Sequence, residues 1–334
     1  MGDTTPRLSP AEAASLLHEQ FGLTGDLVPL PSERDQNFRV QAAAGWFVLK
    51  IAKSDELREV LELQNAAIAH LRGEIEELDW PVSRRTVRGT EIAEMRDGRG
   101  RSHLARVFSW VEGTPLVHAT PHDPRLLGSL GRALARLDGS LQRFTHPAMH
   151  RALGWDLKRA DQAFRHADLL SAAQRSLIDG HIAAWRELCW PLLRHGVIHG
   201  DANDHNVLVR AGEVAALLDF GDMVHSAVVC DLAIGAAYAM LGKRDPLSVA
   251  CEVIGAYCRA LPLTAAEADA VFPLIGTRLA MSVCYSTRNA RDKSEDPYQQ
   301  VSAAPAWELL ADLAALPPGF ALEACRDAAL RERR

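Results

Sequence analysis

Apolar and polar positions change their spacing along the chain, and the change divides it in two. Ser9, Pro10, Ala11 and Glu12 read as a capping box with proline at the first helical position, which predicts a short helix stopping near Gly22. Residues 37–42 and 46–51 alternate as strands around a turn at Gly45. Over residues 55–71, Leu57, Val60, Leu61, Ala67, Ile68 and Leu71 recur at helical spacing. Residues 91–95 and 103–111 predict two further strands. Glu112, Gly113, Thr114 and Pro115 then break the pattern, so residues 109–112 read as a connector. Beyond it the chain is mostly helical, with helices expected at 124–141, 155–167, 172–193, 229–241, 246–260, 265–288, 306–314 and 322–331. Two short apolar strands, 207–209 and 214–218, interrupt these helices. Residues 293–300, polar and containing Pro297, predict an exposed loop.

The interruption carries the chemistry. His199-Gly200-Asp201 is followed by Ala202-Asn203-Asp204-His205-Asn206, a strand, a turn, a second strand and then Asp219-Phe220-Gly221-Asp222. Phosphoryl transfer needs a carboxylate that meets the proton of the attacking hydroxyl, and oxygen ligands that hold Mg²⁺ against nucleotide phosphates. Asp201 is the candidate catalytic base. Asn206 and Asp219 are the candidate metal ligands. A polar turn capped by Asp and Asn side chains explains either half of the motif, but not the spaced pair.

These motifs, together with Asp231-Leu232-Ala233-Ile234, Phe47-Val48-Leu49-Lys50-Ile51 and Leu63-Gln64-Asn65, resemble the kinase-like phosphotransferases of small molecules. That superfamily includes aminoglycoside phosphotransferases, choline kinases and homoserine kinases, and the resemblance is closest to hydroxylysine kinases. It implies an α+β, bilobal, protein-kinase-like fold. Residues 1–111 would form a small antiparallel-sheet lobe that binds nucleotide, and residues 112–334 a larger helical lobe for catalysis and substrate. It gives Asp201, Asn206 and Asp219 the roles just described. It makes Lys50 the phosphate-binding lysine, where position alone suggests a strand-edge lysine with its ammonium in water. It makes Asp231 a brace for the catalytic loop, where position alone suggests a helix-dipole contact. His199 is expected to hold the loop by hydrogen bonding, with a free catalytic histidine as the alternative.

Two departures from the superfamily pattern stand out. The helix after Lys50 offers no glutamate on its apolar face. Gln64 lies there instead, and Glu62 reaches Lys50 only if the helix is rotated. Residues 32–38, where a glycine-rich loop would cover the phosphates, contain no glycine, so a plain polar turn and a cradle of backbone N–H groups both remain open.

Bulk properties narrow the partners. A chain of 334 residues with formal net charge -6 offers no global basic surface for nucleic acid. No apolar stretch is long enough to span a bilayer, and the N-terminus lacks a secretory pattern. Six cysteines without metal or redox spacing suggest buried, reduced thiols in a cytoplasmic protein. The implied enzyme uses Mg²⁺ and ATP or GTP, and phosphorylates a small hydroxylated amine or amino acid. 5-Hydroxylysine leads, and homoserine and aminoglycosides are alternatives with the same chemistry. Asp204 or Asp222 would face an acceptor ammonium, and Arg278, Arg288 or Arg291 an acceptor carboxylate. A nucleotide-binding module without catalysis is the alternative from another class. A protein kinase is disfavoured, because no activation-loop segment separates Gly221 from Asp231.

Overall fold

In the computed structural model, which describes residues 4–32, 34–291 and 303–331, the first helix begins where its cap predicts. Helix α1 (Pro10–Phe21) has Ser9 Oγ accepting from the Glu12 N–H at 3.3 Å, and Glu12 Oε2 accepting from the Ser9 N–H at 2.7 Å. Gly22 ends it in the left-handed region, at φ 60°.

The chain divides into two compact units, Met1–Ala69 with Trp80–Glu112, and His70–Asp79 with Gly113–Arg334. The first is built on an antiparallel sheet. Its strands are β1 (Gly25–Leu30), β2 (Gln36–Ala42), β3 (Gly45–Ile51), β4 (Ser83–Arg84), β5 (Ala93–Arg96) and β6 (Ser102–Ser109). The order is β1-β2-β3-β6-β4, with β5 also paired to β6. Leu17, Phe21, Phe38, Val40, Leu49, Ile51 and Val107 form the buried face of this unit. Strand alternation then places Lys50 on the opposite face from Leu49 and Ile51. Helix α2 (Arg58–Glu74) follows β3. It buries Val60, Leu61, Leu63, Ala67, Ile68 and Leu71, whereas Leu57, expected on that face, is exposed.

The second unit holds α3 (Pro124–Leu141), α4 (Asp161–Phe164), α5 (Ala172–Glu187), α6 (Val229–Met240), α7 (Pro246–Ala260), α8 (Ala265–Arg291), α9 (Ala303–Ala314) and α10 (Phe320–Leu330). Its short strands are β7 (Thr114–Pro115), β8 (His195–Ile198), β9 (Val207–Arg210), β10 (Glu213–Leu217) and β11 (Val224–Ala227). Strand β9 lies between β10 and β7, and β8 pairs with β11. Helix α6 is buried along almost its whole length, as its apolar sequence requires. At the α3–α7 crossing, a Cβ on Gly131 would stand 2.3 Å from the Val253 carbonyl oxygen, so only glycine permits this approach.

Several expectations are corrected. The helix expected at 155–167 is broken into 3-10 turns around the short α4. Helix α5 ends at Glu187 rather than continuing to 193. Strands β1, β4, β7, β8 and β11 went unread. Cys189 is exposed and Cys251 half-buried, so not every thiol is in the core. Among the described residues no helix is long and apolar enough to cross a membrane. The loop expected at 293–300 lies outside the described residues.

Candidate active site

The site in the second unit grows from one hairpin. Between β9 and β10, Ala211 at φ 53° and Gly212 at φ 78° make the two-residue turn that suits twisted antiparallel strands. This returns the chain so that Leu218 N–H donates to the Asn206 carbonyl at 2.8 Å. Asp219 follows in a left-handed conformation, φ 61°, that an aspartate seldom adopts without local support. Its Oδ1 accepts from the Gly221 N–H at 3.2 Å.

The loop between β8 and β9 is held at both ends. Asp231, fully buried at the start of α6, accepts the His199 N–H and the Gly200 N–H, each at 2.7 Å. Gly200 has φ +79°, and a Cβ there would meet the Asp222 carbonyl oxygen at 2.4 Å. His199 is buried with its ring between two backbone groups. Nδ1 accepts from the Asp201 N–H at 3.3 Å, and Nε2 contacts the Leu218 carbonyl at 3.1 Å. This assigns the ring hydrogen to Nε2 and makes His199 a strut, as the loop-holding expectation had it.

Asp201 is only 21% exposed at its side chain and is fixed by three donors. Oδ1 accepts from Arg278 Nη2 at 2.7 Å. Oδ2 accepts from Asn203 Nδ2 and Asn206 Nδ2, both at 2.9 Å. Burial, joined by the negative charge of Asp222, lifts its pKa above the usual carboxylate value, while Arg278 and Asn203 oppose the rise. Asn203 also turns the loop, its Oδ1 accepting from the N–H groups of His205 and Asn206. Sequence reading passed over Asn203, although it sits inside the motif.

The Asn206 amide nitrogen is committed, to the Asp201 carbonyl at 3.0 Å as well as to its carboxylate. Its oxygen therefore remains as the hard donor a cation would use. With the exposed carboxylate of Asp219, this makes a two-residue oxygen set. Such a set fits Mg²⁺, which completes its shell with phosphate oxygens and water. Among the described residues no group of three or more His, Cys, Asp and Glu side chains is placed to hold a metal by itself.

Arg278, one of three arginines singled out in α8, reaches the site from 77 residues away. Arg288 instead donates to Asn289 Oδ1, and Arg291 is exposed. Asp222 is buried, and its charge acts on both Asp201 and Arg278. Asp204 is also buried, with one carboxylate oxygen lacking a hydrogen-bond partner.

In the first unit, Lys50 pairs in register with Asn37 on β2 and Arg106 on β6. Gln64, on the buried face of α2, gives its amide oxygen to Arg106 Nη2 at 2.7 Å. Asn65 Oδ1 takes Arg106 Nη1 at 2.8 Å. The α2 polar pair thus anchors a buried arginine beside the lysine. Glu59 and Glu62 are both exposed. In the stretch 32–38, Asp35 accepts from the Lys53 N–H at 3.4 Å, and Gln36 binds both backbone groups of Leu8. Glu33 lies outside the described residues.

Residues 26–270 match the phosphotransferase enzyme family, APH. Hydroxylysine kinase of Mus musculus is 30% identical over 342 residues, covering 92% of this chain and 90% of that protein. The structure of a microcompartment-associated aminopropanol kinase superposes with a TM-score of 0.73 at 17% identity, covering 92% of this chain and 98% of that one. An amicoumacin kinase in complex with AMP-PNP, Ca²⁺ and Ami gives 0.66 at 15% identity, covering 87% and 90%.

Proposed function

The chain belongs to the phosphotransferase enzyme family, and on that premise we propose that it moves the γ-phosphate of ATP or GTP onto the hydroxyl of 5-hydroxylysine or a closely related amino alcohol. It is a phosphotransferase with an alcohol acceptor. Residues 1–111 serve the nucleotide, with Lys50 on its phosphates. Residues 112–334 supply catalysis and the acceptor site. Asn206 and Asp219 hold Mg²⁺, which when bound neutralises charge on the transferring phosphate.

The observation that carries the mechanism is the fixing of Asp201. Its carboxylate is oriented by Arg278, Asn203 and Asn206 yet stays partly exposed, so an acceptor hydroxyl can meet it. A carboxylate locked in this way orients the hydroxyl for in-line attack and receives its proton as the bond to phosphorus forms. Asp222 supplies negative charge close to Asp201, where an amino group next to the reacting hydroxyl would lie. The similarity to hydroxylysine kinase supports the acceptor choice, and the six free thiols fit a cytoplasmic setting.

The test is nucleoside diphosphate release with Mg²⁺, using ATP and GTP in parallel, with and without 5-hydroxy-L-lysine. Acceptor-dependent release is expected. Nucleotide binding without transfer to 5-hydroxylysine, homoserine or an aminoglycoside would instead identify a binding module.

A further inference from the structure

Two thiols outside the phosphoryl-transfer site touch each other. Cys251 lies on α7 and Cys325 on α10. These helices pack closely. Cys251 Sγ donates to the Ala324 carbonyl oxygen at 3.6 Å, and one turn further along α7 a Cβ at Gly255 would lie 3.8 Å from the Ala328 carbonyl oxygen. The side chain of Cys325, the residue after Ala324, hydrogen-bonds to that of Cys251. Cys325 is fully buried and Cys251 half-buried, so a small molecule reaches the pair from the Cys251 side.

A buried cysteine ordinarily fills apolar space with an inert thiol. Cys230 and Cys284 do so: both are fully buried, and burial pushes the Cys284 thiol up to about 12. Cys251 differs in access and in having a second thiol against it. Its pKa moves the other way. Cys325 donates a hydrogen bond to its sulfur and Arg331 adds positive charge, with burial, Asp245 and Asp327 opposing. The same contact, with burial, pushes the Cys325 thiol up. One sulfur is thereby set to ionise while its neighbour keeps its proton. A reactive thiolate beside a protonated partner is the arrangement of an attacking and a resolving cysteine.

We propose that Cys251 and Cys325 are a peroxide-reactive pair that closes into a disulfide stapling α10 to α7. The Cys251 thiolate attacks one oxygen of hydrogen peroxide. The O–O bond breaks, the other oxygen leaves as hydroxide and takes up a proton to become water, and Cys251 becomes a sulfenic acid. The Cys325 sulfur then attacks the Cys251 sulfur. The S–O bond breaks, and the departing hydroxide leaves as a second water with the Cys325 proton. Two thiols lose two electrons and one peroxide gains them, giving one disulfide and two waters. The bond restrains the unfolded chain across the whole of α8 and α9, so the oxidised protein resists unfolding more than the reduced one.

The experiment treats the reduced full chain with hydrogen peroxide, blocks remaining thiols with iodoacetamide, and maps tryptic peptides without reductant by mass spectrometry. A peptide pair joined through Cys251 and Cys325 is expected, lighter by two hydrogens and released by dithiothreitol. Fragment spectra separate Cys251 from Cys258, which shares its tryptic peptide. In Cys325→Ser, dimedone should trap a sulfenic acid at Cys251. In Cys251→Ser, Cys325 should stay reduced. Oxidised wild type should melt about 5 °C above the reduced protein, a gain absent from either variant. Circular dichroism checks folding, and Cys325→Ala replaces a serine variant that fails, while the wild-type map decides without any variant. Exposed Cys189 is the internal comparison. No Cys251–Cys325 link at a peroxide dose that oxidises Cys189 overturns the proposal, as does oxidation of Cys325 in Cys251→Ser. A linked chain that melts no higher than the reduced one overturns the staple.

Discussion

Replacing Asp138 by asparagine should make the protein's stability less dependent on pH. Asp138 lies on α3, 1% exposed. Its Oδ2 accepts from the Tyr257 hydroxyl at 2.6 Å, and no N–H or O–H donor reaches Oδ1. Burial, reinforced by the charge of neighbouring Asp231, pushes its pKa well above the usual carboxylate range, so the prediction takes Asp138 to keep a proton that it shares with Asp231. Asp231 is the carboxylate on which the His199–Gly200 turn stands, so the proton is the third support of the catalytic loop. The sign follows from linkage. Between the ordinary carboxylate pKa and the raised one, the folded state binds a proton that the unfolded chain has released. The stability contributed by this group is fully present below the ordinary value and is lost as pH rises toward the raised one. The slope is about 1.4 kcal/mol per pH unit. Asparagine reproduces both contacts, Nδ2 donating to Asp231 and Oδ1 accepting from Tyr257, but does not titrate. Its unfolding free energy relative to wild type should therefore climb by about 1.4 kcal/mol per unit from about pH 4 upward, read from urea titrations followed by circular dichroism. Alanine leaves Asp231 and Tyr257 short of partners and should lose about 3 kcal/mol at any pH in that window. Wild-type and asparagine curves that run parallel in pH would refute a protonated Asp138.

Other substitutions test the site itself. Asp201→Asn should lower turnover by about 10²–10⁴-fold while nucleotide still binds; turnover near wild type would remove Asp201 from the mechanism. Asn206→Ala and Asp219→Ala should each raise the Mg²⁺ concentration needed for half-maximal activity, and an unchanged Mg²⁺ titration would reassign these oxygens. Gly200→Ala combines a φ of +79° with a 2.4 Å approach to the Asp222 carbonyl, so it should lower stability by about 2 kcal/mol or more, and a Tm equal to wild type would contradict the tight turn. Glu267→Ala leaves Arg194, now bound through Nε at 2.7 Å and Nη2 at 2.8 Å, without its buried partner and leaves the Thr264 N–H at the start of α8 without the carboxylate that accepts from it, for a loss of about 3 kcal/mol seen in the urea midpoint.

What the sequence made legible is what local chemistry decides. The bounds of α3 and α7 were readable because each starts at an Asp-Pro step whose aspartate caps the helix, Asp123 to the Leu126 N–H and Asp245 to the Ser248 N–H. Asp201, Asn206 and Asp219 were readable because one loop and one hairpin carry all three. Where a distant partner decides, the reading failed. Residues 155–167 have helical periodicity, but Asp156 caps the Lys158 N–H and takes the Ser226 hydroxyl at 2.7 Å, which holds the chain in short turns. Strand β1 contains Pro29 and lies at the sheet edge, where a missing N–H is harmless but the strand signal is weak. Gln64 was placed on the correct face of α2, yet nothing local reveals that a buried arginine from β6 stands opposite. The same limit applies to function. Arg278 reads in sequence as one of three arginines on or near one helix, and only burial against Trp155 and Tyr238 and contact with Asp201 separate it from the other two. The residues proposed to react therefore follow from a contiguous motif. Arg278, which fixes Asp201, comes instead from a helix far along the chain, outside any motif.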